Sequence, residues 1–192
     1  MLNNYRPVRV LVCICLMLFT GDRLYSQASP DSMTLIKTLE FLRDRDQKTR
    51  TGRDSAAFMQ EIDQSNLHML EPLLNQYGWL GKSLVGARGN QTCFLIIQHA
   101  DSATQMKYFP NMQQSVEAKE SSAADLALLQ DRILMRQGKK QMYGTQVIMN
   151  KEGGSEFYPI EQEDKVDERR AAVGLPPMEI YAQHFGIPYH HQ

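Results

Sequence analysis

One acidic residue constrains what this chain can fold into more than any property of its composition. Asp131 lies in the run from Ser122 to Gln137, and the residues three and four positions to either side are Ala127, Leu128, Leu134 and Met135, all apolar. Residues at those spacings share one face of a helix. A carboxylate there is taken out of water, so it must be paired or hydrogen-bonded. The chain is therefore expected to fold as a packed helical domain that brings donors to Asp131 from other elements. His99, Arg132 and Tyr143 are the nearest candidates by type. His99 makes the same demand, because it ends the apolar run Cys93-Phe94-Leu95-Ile96-Ile97.

The first residues read differently from the rest. Arg6 and Arg9 precede an apolar run from Val10 to Phe19, and Ser26-Gln27-Ala28 places small residues where a signal peptidase reads. Residues 1–28 are expected to be a cleaved secretory signal, since the run is well short of the roughly 20 apolar residues a spanning helix needs. After it come a leader and the start of the first helix at 29–45, a single mainly helical domain at 46–186, and a tail at 187–192. The mature chain is expected to be soluble in the periplasm or outside the cell, with no membrane span.

Cysteine usage fits that address. Cys13 and Cys15 fall inside the leader, so Cys93 alone remains and no intramolecular disulfide can form. Val12 and Ile14 stand where a small residue normally precedes a lipidated cysteine, which argues against a lipoprotein. Losing Arg6, Arg9, Arg23 and Asp22 with the leader takes the formal charge from −1 to about −3. No run of Lys and Arg interleaved with aromatics is present, so nucleic acid and anionic membrane are poor partners.

Along the chain, Leu35, Ile36, Leu39 and Leu42 recur at helical spacing behind Asp31 and Ser32, predicting a first helix to about Lys48. Its end, Asp44-Arg45-Asp46-Gln47-Lys48, reads as a solvated face. Asp54 or Ser55 caps a second helix that reaches Gly78, with a break expected near Pro72. Trp79 is expected to anchor a loop on the core, the commoner use of a lone tryptophan than roofing a ligand. Gly81-Lys82-Ser83 lacks the first glycine and the preceding strand of a phosphate loop. Asn90 to His99 is expected to be a buried helix, and Asp101 or Ser102 caps the next, interrupted at Pro110. Ser121 or Ser122 caps the helix of Asp131. Tyr143–Met149 and Ser155–Ile160 should pair as a small hairpin around Asn150-Lys151-Glu152-Gly153-Gly154. A charged helix over Glu161–Val173 stopped by Gly174, then a last helix through Ile180, Tyr181 and Phe185, complete the chain.

Several short motifs in this order, Gln98-His99-Ala100-Asp101, Asp131-Arg132, Gln141 with Tyr143-Gly144-Thr145-Gln146, Arg169-Arg170 and Gly174-Leu175-Pro176-Pro177, resemble a bacterial family known as domain of unknown function 6624. The resemblance runs from about Asp46 to Tyr181. Similar sequences usually read Gly-Trp-Pro where this chain has Gly78-Trp79-Leu80. The resemblance implies a mainly helical, often exported domain and no established activity.

Two functional readings follow from the candidate residues. In the first, the chain binds a small molecule, peptide or sugar in a polar pocket around His99 and Asp131, with Gln98, Asp101, Gln141, Tyr143 and Gln146 as ligand contacts. In the second it is a small non-covalent hydrolase or lyase with His99 as general base, Asp131 fixing its tautomer, and Arg132 or Gln146 holding a substrate oxygen. The residues do not separate an enzyme from a binding protein. Covalent catalysis is disfavoured, because no Gly-x-Ser-x-Gly elbow occurs and Cys93 sits in an apolar run. His99 and Asp101 with His68 or Asp131 match no zinc signature, so neither a metal nor another cofactor is expected. The plain alternative to both is structural: a core histidine with one hydrogen bond, and Asp131-Arg132 as buried polar fastenings.

Overall fold

The computed structural model describes residues 32–52 and 54–189. The expected signal at 1–28, the cap at Asp31 and the final His190-His191 lie outside the described residues. Five long helices come first: α1 (Ser32–Thr51), α2 (Ala56–Tyr77), α3 (Lys82–His99), α4 (Ser102–Glu117) and α5 (Ala123–Arg136). They are followed by strands β1 (Val147–Met149) and β2 (Ser155–Phe157), a 3-10 turn at Glu163–Lys165, and short helices α6 (Val166–Ala172) and α7 (Met178–Gln183). The strands pair antiparallel, with Val147 opposite Phe157 and Met149 opposite Ser155. No described helix is long and apolar enough to cross a membrane.

Helix α3 is the axis of the bundle and packs against α1, α2, α4 and α5. Its apolar run needs cover on every side, and Val85, Cys93, Phe94, Ile96 and Ile97 are all buried. They meet Leu35, Leu39 and Leu42 of α1, Leu70 and Leu74 of α2, Tyr108 and Met112 of α4, and Leu129 and Ile133 of α5 in one apolar cluster. Gly89 lets α1 come close, since a Cβ there would lie 3.2 Å from Leu39 Cδ1. A smaller cluster of Ile160, Val166 and Met178 closes the C-terminal part against the hairpin.

Caps fall on residues the sequence offered. The side chains of Ser55, Asp101 and Ser122 accept from the backbone N–H of Phe58, Thr104 and Asp125 respectively. Trp79 does act as an anchor: Nε1 donates to Ser121 Oγ at 2.9 Å, tying the α2–α3 turn to the start of α5.

Four expectations are corrected. Helices α2 and α4 run on through Pro72 and Pro110. Both prolines are exposed, and so are His68 and Met106 four residues earlier, whose carbonyls lose their usual partners on the water-facing side. Helix α3 begins at Lys82 rather than Asn90, with one non-helical residue at Gly86 (φ 72°). The strands are shorter than Tyr143–Met149 and Ser155–Ile160, because Tyr143–Thr145 is folded around a carboxylate instead. The charged helix starts only at Val166, after the 3-10 turn.

Candidate functional site

Asp131 is fully buried, as its neighbours on α5 require, and its donors come from the segment after α5. Oδ1 accepts from the backbone N–H of Met142 at 2.7 Å and of Tyr143 at 3.1 Å. Oδ2 accepts from the N–H of Thr145 at 3.1 Å and from its hydroxyl at 3.0 Å. Burial pushes this carboxyl above its ordinary range, against the opposing pull of these donors. The turn is held from its other side as well. Arg170, with no exposed surface, donates to the carbonyls of Tyr143 at 2.5 Å and Pro176 at 2.6 Å, and its guanidinium lies 4.6 Å from the Tyr181 ring centre. Gly144 (φ 68°) packs so tightly that a Cβ would sit 2.6 Å from Met178 Sδ. Gln141 bridges the carbonyls of Gln146 and Tyr158, and Gln146 accepts from Arg132 Nε at 3.1 Å. Asp131, Gln141 and the backbone of Tyr143 therefore form a clamp joining α5 to the C-terminal elements.

His99 is placed elsewhere, at the C-terminal end of α3, and the carboxylate it meets is Asp46 rather than Asp131. His99 Nδ1 lies 2.8 Å from Asp46 Oδ1, and Asp46 is 1% exposed. Arg50, one turn on from Asp46, places Nη2 3.3 Å from Asp46 Oδ1 and also bonds Asp63 Oδ1 on α2. Its Nε stands 3.1 Å from His99 Nδ1. These neighbours make opposite demands on Nδ1, because a carboxylate needs a proton there and an N–H donor needs a lone pair. The shorter contact and the buried acid decide it: Nδ1 carries the proton and donates to Asp46, and Arg50 keeps its Nη2 bonds to the two carboxylates while its Nε–H gives up Nδ1 as an acceptor. Nε2 of His99 is then the lone-pair nitrogen, with no hydrogen-bond partner among the described residues.

The electrostatics follow from this arrangement. Burial pushes the Asp46 carboxyl up, but the hydrogen bonds from His99 and the Gln47 amide and the positive charge of Arg50 outweigh it and hold it below its ordinary value. Asp63 is raised instead, because its burial outweighs the pull of Arg50 and His99. Burial lowers Arg132, and the nearby positive charges of Arg136 and Arg50 lower it further.

A cavity of about 290 Å³ opens beside His99. Gln60, Asp63 and Gln64 of α2, His99 and Asp101 at the α3–α4 corner, and Arg136 of α5 line it. Arg136 is fixed by a 2.8 Å bond from Nη1 to the Ala100 carbonyl. Asp101 caps α4, and the Thr104 N–H holds its carboxyl below the usual range. Of the residues singled out from sequence, His99 and Asp101 line this cavity. Gln98 is buried and lends its backbone carbonyl to Gln105, and it does not line it. Burial pushes the Cys93 thiol up to about 12, so this cysteine carries no thiolate for chemistry at neutral pH.

Asp46, Asp63 and His99 could also take a cation, as one ligand atom from each lies within 4.8 Å of the others. The Arg50 guanidinium supplies positive charge at the same focus. Sequence reading missed Asp46, Arg50, Asp63 and Arg136. The signal for Asp46 was present: Leu35, Leu39 and Leu42 extend at helical spacing to Asp46 and Thr49, and all five are buried.

The fold and site together define a mainly helical bundle, joined to a two-stranded hairpin, with a histidine–carboxylate–arginine centre at one end. The chain belongs to the family of unknown function DUF6624, whose model matches residues 41–190. No curated protein and no solved structure matches it.

Proposed function

We propose that this is an exported protein, acting in the periplasm or outside the cell, that binds a small polar ligand in the cavity beside His99. The observation that carries this reading is the buried Asp46 on Nδ1 of His99, which leaves Nε2 as an acceptor for a ligand hydroxyl or amide in a cavity lined by amides, acids and an arginine. Arg136 supplies the positive contact for an anionic or carbonyl oxygen, whereas Arg132, one helical turn earlier and bonded to Gln146, does not line the cavity. The same pair favours a second reading. With Nδ1 held by a carboxylate and the lone pair on Nε2, His99 can act as general base on a bound ligand or water without a covalent intermediate.

Both readings are tested by adding a dipeptide and an N-acetylated amino sugar to ¹⁵N-labelled protein. Saturable shifts confined to His99, Gln64 and Arg136 are expected, and His99→Gln should lose them while its circular dichroism stays native. If His99 is a base, product accumulates with a pH-dependent rate that falls by about a hundredfold or more in that variant. Shifts that ignore the cavity, or that persist unchanged in His99→Gln, contradict the assignment.

A further inference from the structure

We propose that a second cavity, on the side of the bundle formed by α1, α3 and the start of α5, is a binding site for a small oxyanion of the sulfate or phosphate type. The cavity measures about 520 Å³, and Arg43, Lys82, Arg88, Asn90, Ser122 and Asp125 are among the residues that line it. Three cations from two helices thus face a single acid. Among the described residues, Arg43 Nη1 is buried with no hydrogen-bond partner. A buried guanidinium N–H left unmade is costly, and no hydrogen bond at Nη1 resists a turn of the Arg43 head that presents its N–H groups to an oxyanion in the cavity, a group guanidinium meets in a bidentate way. Neither Arg43 nor Arg88 comes within ion-pair distance of a carboxylate among the described residues, and Asp125 is the one lining acid that opposes their charge. Ser122 caps α5 here, and the positive end of that 14-residue helix adds to the attraction.

Asp125 makes the site sensitive to pH. Burial pushes its carboxyl up to about 6, with Arg43 pulling the other way. Below that value the lining is three cations and a neutral acid, and above it a negative charge opposes an incoming anion. Inorganic sulfate is the suitable probe, because its own charge is constant across this range.

The test is a sulfate titration of the full mature chain at constant ionic strength, followed through the Arg43 side-chain resonance and the Asp125 amide. Saturable binding is expected, tighter at about pH 5 than at about pH 7.5 by several-fold. Arg43→Gln should weaken it about tenfold or more. Asp125→Asn should tighten it at the higher pH and remove the pH dependence, a gain that no loss of folding can imitate. Shifts that never saturate and are matched by sodium chloride overturn the proposal. So does an Arg43→Gln affinity equal to the native one, or an Asp125→Asn affinity no higher than native at about pH 7.5.

Discussion

Asp131→Ala is expected to destabilise the protein by about 3–5 kcal/mol, the range for removing one partner from a buried charged interaction. The substitution strands the N–H groups of Met142, Tyr143 and Thr145 and the Thr145 hydroxyl around a side-chain position that has no exposed surface. Asp131→Asn should recover only part of the loss, because its NH₂ would face donors where an oxygen is needed. Urea denaturation followed by circular dichroism measures the change. A loss below about 1 kcal/mol would mean that the turn does not depend on this carboxylate.

Arg170→Ala should cost about 3–4 kcal/mol by the same logic, since the side chain ties the carbonyls of Tyr143 and Pro176 together over the Tyr181 ring. Arg170→Lys is the sharper variant. An ammonium cannot present the planar fork that reaches two carbonyls while stacking on a ring, so lysine should recover little. The damage should be greatest in amide exchange of the hairpin, α6 and α7, because those elements are what the two carbonyls join. A lysine variant within about 0.5 kcal/mol of native would assign the stability of this region to its apolar cluster instead.

These two residues also show what could be read in advance. Asp131 was legible because its constraint is local: apolar neighbours on adjacent turns forced its burial whatever the rest of the chain did. The identity of its donors was not local. Backbone N–H groups carry no sequence signature, so Tyr143-Gly144-Thr145 read as strand when its N–H groups were committed to a carboxylate. The helical class, most helix caps and the anchoring of Trp79 followed from spacing and capping chemistry for the same local reason.

The partner of His99 lay beyond that reach. A histidine closing an apolar run announces that it needs a partner, but which of many acids meets it depends on how α1 packs against α3. Asp46 sat in a highly charged segment that resembled a solvated helix end. Only the stripe of Leu35, Leu39 and Leu42, extended by one more turn, marked it as inward-facing. Arg50 and Asp63 followed from that error, because an arginine one turn from a buried acid has a different meaning from one on an open face.

The position of the proton on His99 tests the site most directly. Long-range ¹H–¹⁵N correlation of the neutral imidazole in the native protein should show the proton on Nδ1, held by Asp46, with Nε2 as the acceptor. In Asp46→Asn that preference should weaken or reverse, as Arg50 Nε takes up the Nδ1 lone pair. A native spectrum with the proton on Nε2, unchanged by Asp46→Asn, would show that Asp46 does not orient the imidazole.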